Sequence, residues 1–422
     1  MKSAPGFLLA AKRCEIHGLE QLALTAELVG RIGRLVHLLQ KERGASNIYL
    51  ASGGTRFAEQ RERIVAECAA AEAEVREHFG RFDTEAAPLA GGARLFSRIA
   101  WVLHGLDALP ALRERIAARA FEPARATAAY SELIGGLLAV VFEAADTAGD
   151  PAVTRALVAL FNFMQGKELA GQERATGAAA FGSGRAGAEA QQRLLHLIEA
   201  QERCFQVFAG FAEVPVLARW RAAQGAAVVA ELERLRRVLC TAPPDGAVDA
   251  DLSDAWFDCC TRRLDEMREM EDMLAAGLQQ LCERKIAEAR ADLQDHALRV
   301  DALRGAPAPL AVFFERTPEP AGGAQVLAAD GLGPQLGRSV LDMLQAQARR
   351  LQAMSDELNT VRGALDERKL IERAKGLLMA RRGLTEDQAY KLLRQTAMNQ
   401  NRRLVEVAEA TLALADFLPP GQ

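Results

Sequence analysis

Residues 18–52 read GLEQLALTAELVGRIGRLVHLLQKERGASNIYLAS, and this stretch sets the fold class. Leu22, Leu28, Ile32, Leu35, Leu39 and Ile48 recur at helical spacing and form one apolar stripe. Gly30, Gly33 and Gly44 lower helix propensity but let a second helix come close. The stretch predicts one long helix.

Working outward, the signal repeats. Helices are predicted over about 56–78, 93–107, 110–118 and 123–145, with breaks at Gly80 and in the 88–92 region. Asp150-Pro151 opens the next helix, with Asp as cap and Pro in the first turn. It is expected to run to about Thr176, before the break Gly182-Ser183-Gly184. Helices over 189–212 and 216–238 follow, then Pro243-Pro244-Asp245-Gly246, then a proline-free helical block over 254–303. This is an all-α domain larger than one four-helix bundle, and two bundle-like parts sharing long helices suit its length.

Composition agrees. The 422 residues are 50% hydrophobic and 26% charged, enough to bury cores, while 5% aromatics favour packed helices over sheets. Seven scattered cysteines, among them the adjacent Cys259 and Cys260, make no disulfide framework, and small buried thiols in a reducing cytoplasm are expected. The histidines at 17, 37, 78, 104, 196 and 296 form no metal-binding pattern. The apolar run 7–11 is too short for a signal peptide. The run 133–142 falls far short of the roughly 20 residues a membrane span needs.

Residues 304–340 differ: glycine and proline are dense, charges are sparse, and an irregular linker is predicted. A connecting helix over 341–363 follows, its seam of Leu341, Leu344, Ala348, Leu351, Leu358 and Val361 reaching Leu365. The near-heptad spacing fits a short coiled coil between two copies or packing within one chain. Residues 364–420 make a three-helix unit with Thr385 as a cap. From residue 361 onward eleven Lys and Arg face eight Asp and Glu, a segment of +3, which leaves −7 on the rest of a chain of −4.

Two segments of the large domain place an arginine among small and hydrogen-bonding residues: LQKERGAS (39–46) and GKELAGQERA (166–175). A guanidinium fork suits a planar oxyanion, although Arg43 and Arg174 have Glu42, Glu168 and Glu173 nearby as ion-pair partners. Residues from about 35 to 300 resemble the nitrate- and nitrite-sensing NIT family at LLQKERGASNIYL (38–50), KELAGQERA (167–175) and WFDCCTRRLDEM (256–267). The resemblance implies a helical sensor of nitrate or nitrite, with Arg43 and Arg174 as main ligands and Arg263 as a third. It implies an effector ligand and no cofactor. Glu42 or Glu173 is expected to balance the remaining charge.

The tail reads ALDERKLIERAKGLLMARRGLTEDQAYKLLRQTAMNQNRRLVEVAEATL (364–412). Its basic residues and Tyr390 fit either RNA contact or a solvated face over a core of Leu370, Ala374, Leu377, Leu378, Ala389, Leu392, Leu393 and Leu404. It is similar to the ANTAR RNA-binding antitermination domain, at AKGLLM (374–379), QAYKLLRQTAM (388–398) and RRLVEVAE (402–409). The resemblance implies a leader RNA with paired stem-loops, met by Lys375, Gly376, Tyr390, Arg394, Ala397, Met398 and Arg402, with Arg368, Arg381 and Arg403 in secondary positions. Ala397 and Met398 also suit helix packing.

The expected function is therefore a cytoplasmic, nitrate- or nitrite-responsive transcription antiterminator, acting as a homodimer away from membranes on nitrate-assimilation genes. An enzyme is not expected, because no nucleophile triad, acid pair or phosphate loop is present. A helical DNA-binding regulator is the alternative.

Overall fold

A computed structural model describes residues 4–82, 92–243, 245–302, 333–384, 386–400 and 402–415. The first bundle is α1 (Ala4–Ala51), α2 (Ala58–Phe79), α3 (Gly92–Ala117) and α4 (Pro123–Thr147). The second is α5 (Pro151–Gly182), α6 (Ala188–Phe211), α8 (Ala227–Thr241) and α9 (Leu252–Ala302), with the short α7 (Val214–Gln224) against α9. The long helices α1 and α9 pack on each other and join the two. A small unit follows, made by α10 (Gly333–Arg382), α11 (Glu386–Gln400) and α12 (Leu404–Ala415). The all-α expectation holds; among the described residues the exception is a two-residue antiparallel pairing of β1 (Arg185–Ala186) with β2 (Gly246–Ala247), where the breaks at 182–184 and 243–246 meet.

The stripe on α1 builds the first core. Leu28, Ile32, Leu35 and Leu39 are fully buried against Val75, Val102, Leu106, Ile134 and Val141. In the second bundle an aromatic cluster forms part of the core: Phe163 meets Phe208 at 5.0 Å and Trp220 at 5.2 Å between ring centroids. Among the described residues, α4 is the one helix apolar and long enough to cross a membrane, and 56% of its apolar window is buried.

Several boundaries differ from expectation. The helix expected from 18 begins at Ala4. Pro110 does not split α3, because buried Leu106, Leu109 and Ile116 on either side of it hold the helix to the core. The single helix expected over 216–238 is two, parted at Gly225 and Ala226. Asp150 caps α5 as expected, accepting from the N–H groups of Ala152 and Val153 at 3.0 Å each.

Of the linker expected over 304–340, residues 333–340 belong to α10, and the rest lies outside the described residues, as does Thr385. Of the seam residues whose side chains are described, Val361 and Leu365 are buried in the first core, Leu358 is half-buried and Leu351 is exposed.

Candidate anion site and RNA-facing surface

Helices α1 and α5 meet at the two arginine motifs. On α1, Gln40, Arg43 and Gly44 share a face; on α5, Glu168, Gly171 and Gln172 do the same, with Arg174 beside them. The approach is reciprocal. A Cβ on Gly171 would stand 2.8 Å from Nη2 of Arg43, and one on Gly44 would stand 3.0 Å from Nη2 of Arg174.

Arg43 is 2% exposed and holds Glu168 with both fork nitrogens, Nη1 to Oε1 at 2.5 Å and Nη2 to Oε2 at 3.2 Å. Its Nη1 also donates to Ser131 Oγ on α4 at 2.7 Å. The carboxylate is completed by Gln40 Nε2 at 2.9 Å and Gln172 Nε2 at 2.9 Å.

Arg174 has a different environment. It donates to Thr261 Oγ1 at 3.0 Å and Gln40 O at 3.4 Å, and its guanidinium lies 4.9 Å from the Phe257 ring centroid. Among the described residues no carboxylate forms an ion pair with it. Burial, and after it the cation of Arg43, pushes Arg174 down to about 10. Glu168 is taken up by Arg43, so Arg174 is a buried guanidinium charge beside that pair, with Asp265 and Glu168 acting on it only at a distance. Nearby His37 is pushed down to about 2 by burial and then by Lys167 and Arg268, so it adds no charge.

The balancing carboxylate is Glu168, and the expectation of Glu42 or Glu173 is corrected. Glu42 accepts from Arg113 Nε and Nη2 at 2.8 Å each and from Tyr130 Oη at 2.7 Å, away from Arg43. Glu173 accepts from Arg236 Nε at 2.5 Å and from Gln201 Nε2 at 2.8 Å. Burial alone would raise its carboxyl, but Arg236 and Arg263 hold it below the ordinary value.

Arg263 belongs to that second cluster, 3.5 Å from Glu173 Oε2 and 3.1 Å from Gln201 Oε1. Among the described residues it shares no hydrogen-bond or ion-pair partner with Arg43 or Arg174. The sequence motifs point to Arg43 and Arg174 but not to Gln40, Gln172, Thr261 and Phe257, which the fold brings against Arg174 and Glu168. All but Phe257 are ordinary polar residues, which carry no signal until the helix phase is known.

The tail's residues divide. Ala397 is in the small core with Ala374, Leu393, Val407 and Ala408. Gly376 is exposed on α10 with open space beside it. Arg403 pairs with Glu367 and Arg402 with Glu406, both within the tail. Arg381 is exposed at the end of α10.

The others meet the sensor. Tyr390 lies 4.4 Å beneath the Arg203 guanidinium and 5.6 Å from the His196 ring, and Arg394 pairs with Glu199, all three partners being on α6. Met398 is 70% exposed in the neighbouring cleft, lined also by Glu199 and Glu202. Lys375 is buried at a second cleft of about 360 Å³ between the two units; burial works against its charge, but Glu372 and Glu386 outweigh it and raise its pKa. Arg368 stacks 4.8 Å from the Phe161 ring centroid and donates to Asn162 Oδ1 at 3.4 Å on α5.

Residues 34–279 match the family described as nitrate and nitrite sensing (NIT), and residues 359–412 match the ANTAR domain. The chain is 38% identical over 410 residues to the nitrate regulatory protein of Klebsiella oxytoca, covering 96% of this chain and 93% of that one. It is 36% identical over 72 residues to the transcriptional regulatory protein PdtaR of Mycobacterium tuberculosis, 17% of this chain and 35% of that one. The solved structure of the NasR transcription antiterminator superposes with a TM-score of 0.60 at 34% identity, covering 97% of this chain and 98% of that chain.

Proposed function

The chain belongs to the nitrate and nitrite sensing family, and from that premise we propose that it is a nitrate- or nitrite-responsive transcription antiterminator that binds leader RNA of nitrate-assimilation genes. One observation carries the sensing half: Arg174 is buried beside Arg43 with neutral hydrogen-bond partners. A buried charge without a counter-ion costs several kcal/mol, so a small monovalent anion seated there is favoured twice, by charge-assisted hydrogen bonds and by neutralisation. Nitrate and nitrite are planar and fit a guanidinium edge. Arg263 serves the packing of the second bundle in this reading rather than the anion.

The reading half lies in the tail. Tyr390, Arg394 and Lys375 are suited to stack on a loop base and to hold phosphates. The side chains they meet on α6 include Glu199, which offers a carboxylate where RNA would offer a phosphate. RNA and the sensor therefore compete for the same groups. An anion that repacks α1 against α5 shifts the tail between a held and a released arrangement. The protein acts in the cytoplasm as a homodimer, so that paired modules meet paired stem-loops.

The test is binding of a twin stem-loop leader RNA to the full chain with and without nitrate. Nitrate should tighten it severalfold, and duplex DNA should compete poorly. Equal affinity in both conditions would sink the coupling, and preference for duplex DNA would favour a DNA-binding regulator.

A further inference from the structure

We propose that Glu168 is a tethered competitor for the anion seat, holding Arg43 until an incoming planar oxyanion takes over part of its donor set. The inference rests on the anion reading of Arg43 and Arg174.

The Glu168 carboxylate is bound as a free planar anion would be. Four N–H donors from three side chains converge on its two oxygens: Arg43 twice, Gln40 and Gln172. A carboxylate O–C–O edge and a nitrate O–N–O edge present the same two acceptors to a fork. The grip is uneven, 2.5 Å at Nη1 and 3.2 Å at Nη2. The looser nitrogen is the one that faces Gly171, and Arg174 Nη2 faces Gly44, the residue after Arg43.

An anion drawn to Arg174 thus reaches Arg43 through Nη2, the half that Glu168 holds less closely. Glu168 stays near as the second negative charge. Two guanidinium cations, one carboxylate and one nitrate then sum to zero.

This step has a mechanical consequence. Asn162 and Phe161, which hold Arg368 of the tail, precede Glu168 on α5 by six and seven residues, about 9–10 Å along a helix. Lys167, adjacent to Glu168, is anchored to Glu271 on α9. Loosening Glu168 from Arg43 therefore changes how α5 is held to α1 while its hold on α9 persists.

Nitrate binding to the full chain, followed by titration calorimetry with thermal melting alongside, tests this. Glu168→Gln removes the competing charge and should bind nitrate at least tenfold more tightly. Glu168→Asp keeps the charge but draws it back by one methylene, and should fall between. A folded Glu168→Gln with unchanged or weaker affinity overturns the proposal, because a purely structural ion pair predicts that result. If Glu168→Gln does not fold, Glu168→Asp decides: affinity equal to or below that of the native chain overturns it. Arg43→Ala and Arg174→Ala serve as separate arms. Full nitrate affinity in both would defeat the anion-site reading itself, whatever Glu168 does.

Discussion

A methyl group on Gly171 of α5 would stand 2.8 Å from Nη2 of Arg43 on α1, so the helices cross where one residue has no side chain and the other ends in a cation. The Arg43 tip must give way, and it is held by Glu168 and Ser131. Gly171→Ala should therefore cost stability by straining that buried pair, offset by up to about 1 kcal/mol of helix propensity. Nitrate affinity should also fall about tenfold or more, because the displaced guanidinium no longer lines the seat. Calorimetry beside thermal melting separates the effects; native affinity would remove Gly171 from the site.

The two arginines should respond oppositely in stability. Arg43→Ala strands a buried Glu168 and should cost about 3–5 kcal/mol. Arg174→Met removes a buried charge with no ion-pair partner and should be neutral or stabilising without nitrate. Both should lose nitrate binding. Denaturant unfolding of each, with and without nitrate, gives the comparison; a large loss in Arg174→Met would show that its charge is already balanced.

Anion binding should follow the charge of Arg174, which folding pushes down to about 10 from its ordinary 12.5. Below about pH 10 the folded chain carries a buried guanidinium that the unfolded chain would carry in water, so the group costs stability there. That cost fades as pH rises through 10 toward 12.5. Nitrate needs the charged form. Its affinity should be level from pH 7 to 9 and decline above about 10, read as the nitrate-induced rise in melting temperature. A rise that persists unchanged to pH 11 would exclude Arg174 as the cationic ligand.

The tail's contact with α6 predicts two variants of opposite sign. Glu199→Ala releases Arg394 and should raise RNA affinity in the absence of nitrate, by about threefold for one exposed ion pair. Arg394→Ala should weaken RNA binding in nitrate, while nitrate affinity is retained or rises by up to about threefold because the docked tail loses one ion pair. Fluorescence anisotropy over a salt series reads both, with a shallower salt slope expected for Arg394→Ala. No gain in Glu199→Ala would argue against competition at this surface.

Arg263→Met should leave nitrate affinity within about twofold, because Arg263 faces Glu173 and Gln201. A tenfold loss would return it to the ligand set.

Most of the candidate anion site was visible in two short motifs, since Gln40, Arg43, Gly44, Glu168, Gly171, Gln172 and Arg174 all fall within 38–50 and 167–175. Which carboxylate answers which arginine was not visible. Neighbouring residues on a helix point about 100° apart, so Glu42 faces α3 and α4 while Arg43 faces α5, and Glu173 faces α6 and α8 while Arg174 faces α1 and α9. Pro110 and Gly225 misled in opposite directions. A lone proline looks like a break and a lone glycine does not, yet packing around each decides the outcome.

The sequence by itself determined the all-helical class and the division into an acidic body and a basic tail, because apolar periodicity and charge are properties of local stretches. Tertiary structure alone decided the rest: that Glu168 neutralises Arg43, that Arg174 has no ion-pair partner among the described residues, and that Tyr390 and Arg394 rest on α6. Those facts depend on helix phase and on contacts between residues more than a hundred positions apart, which spacing along the chain does not encode.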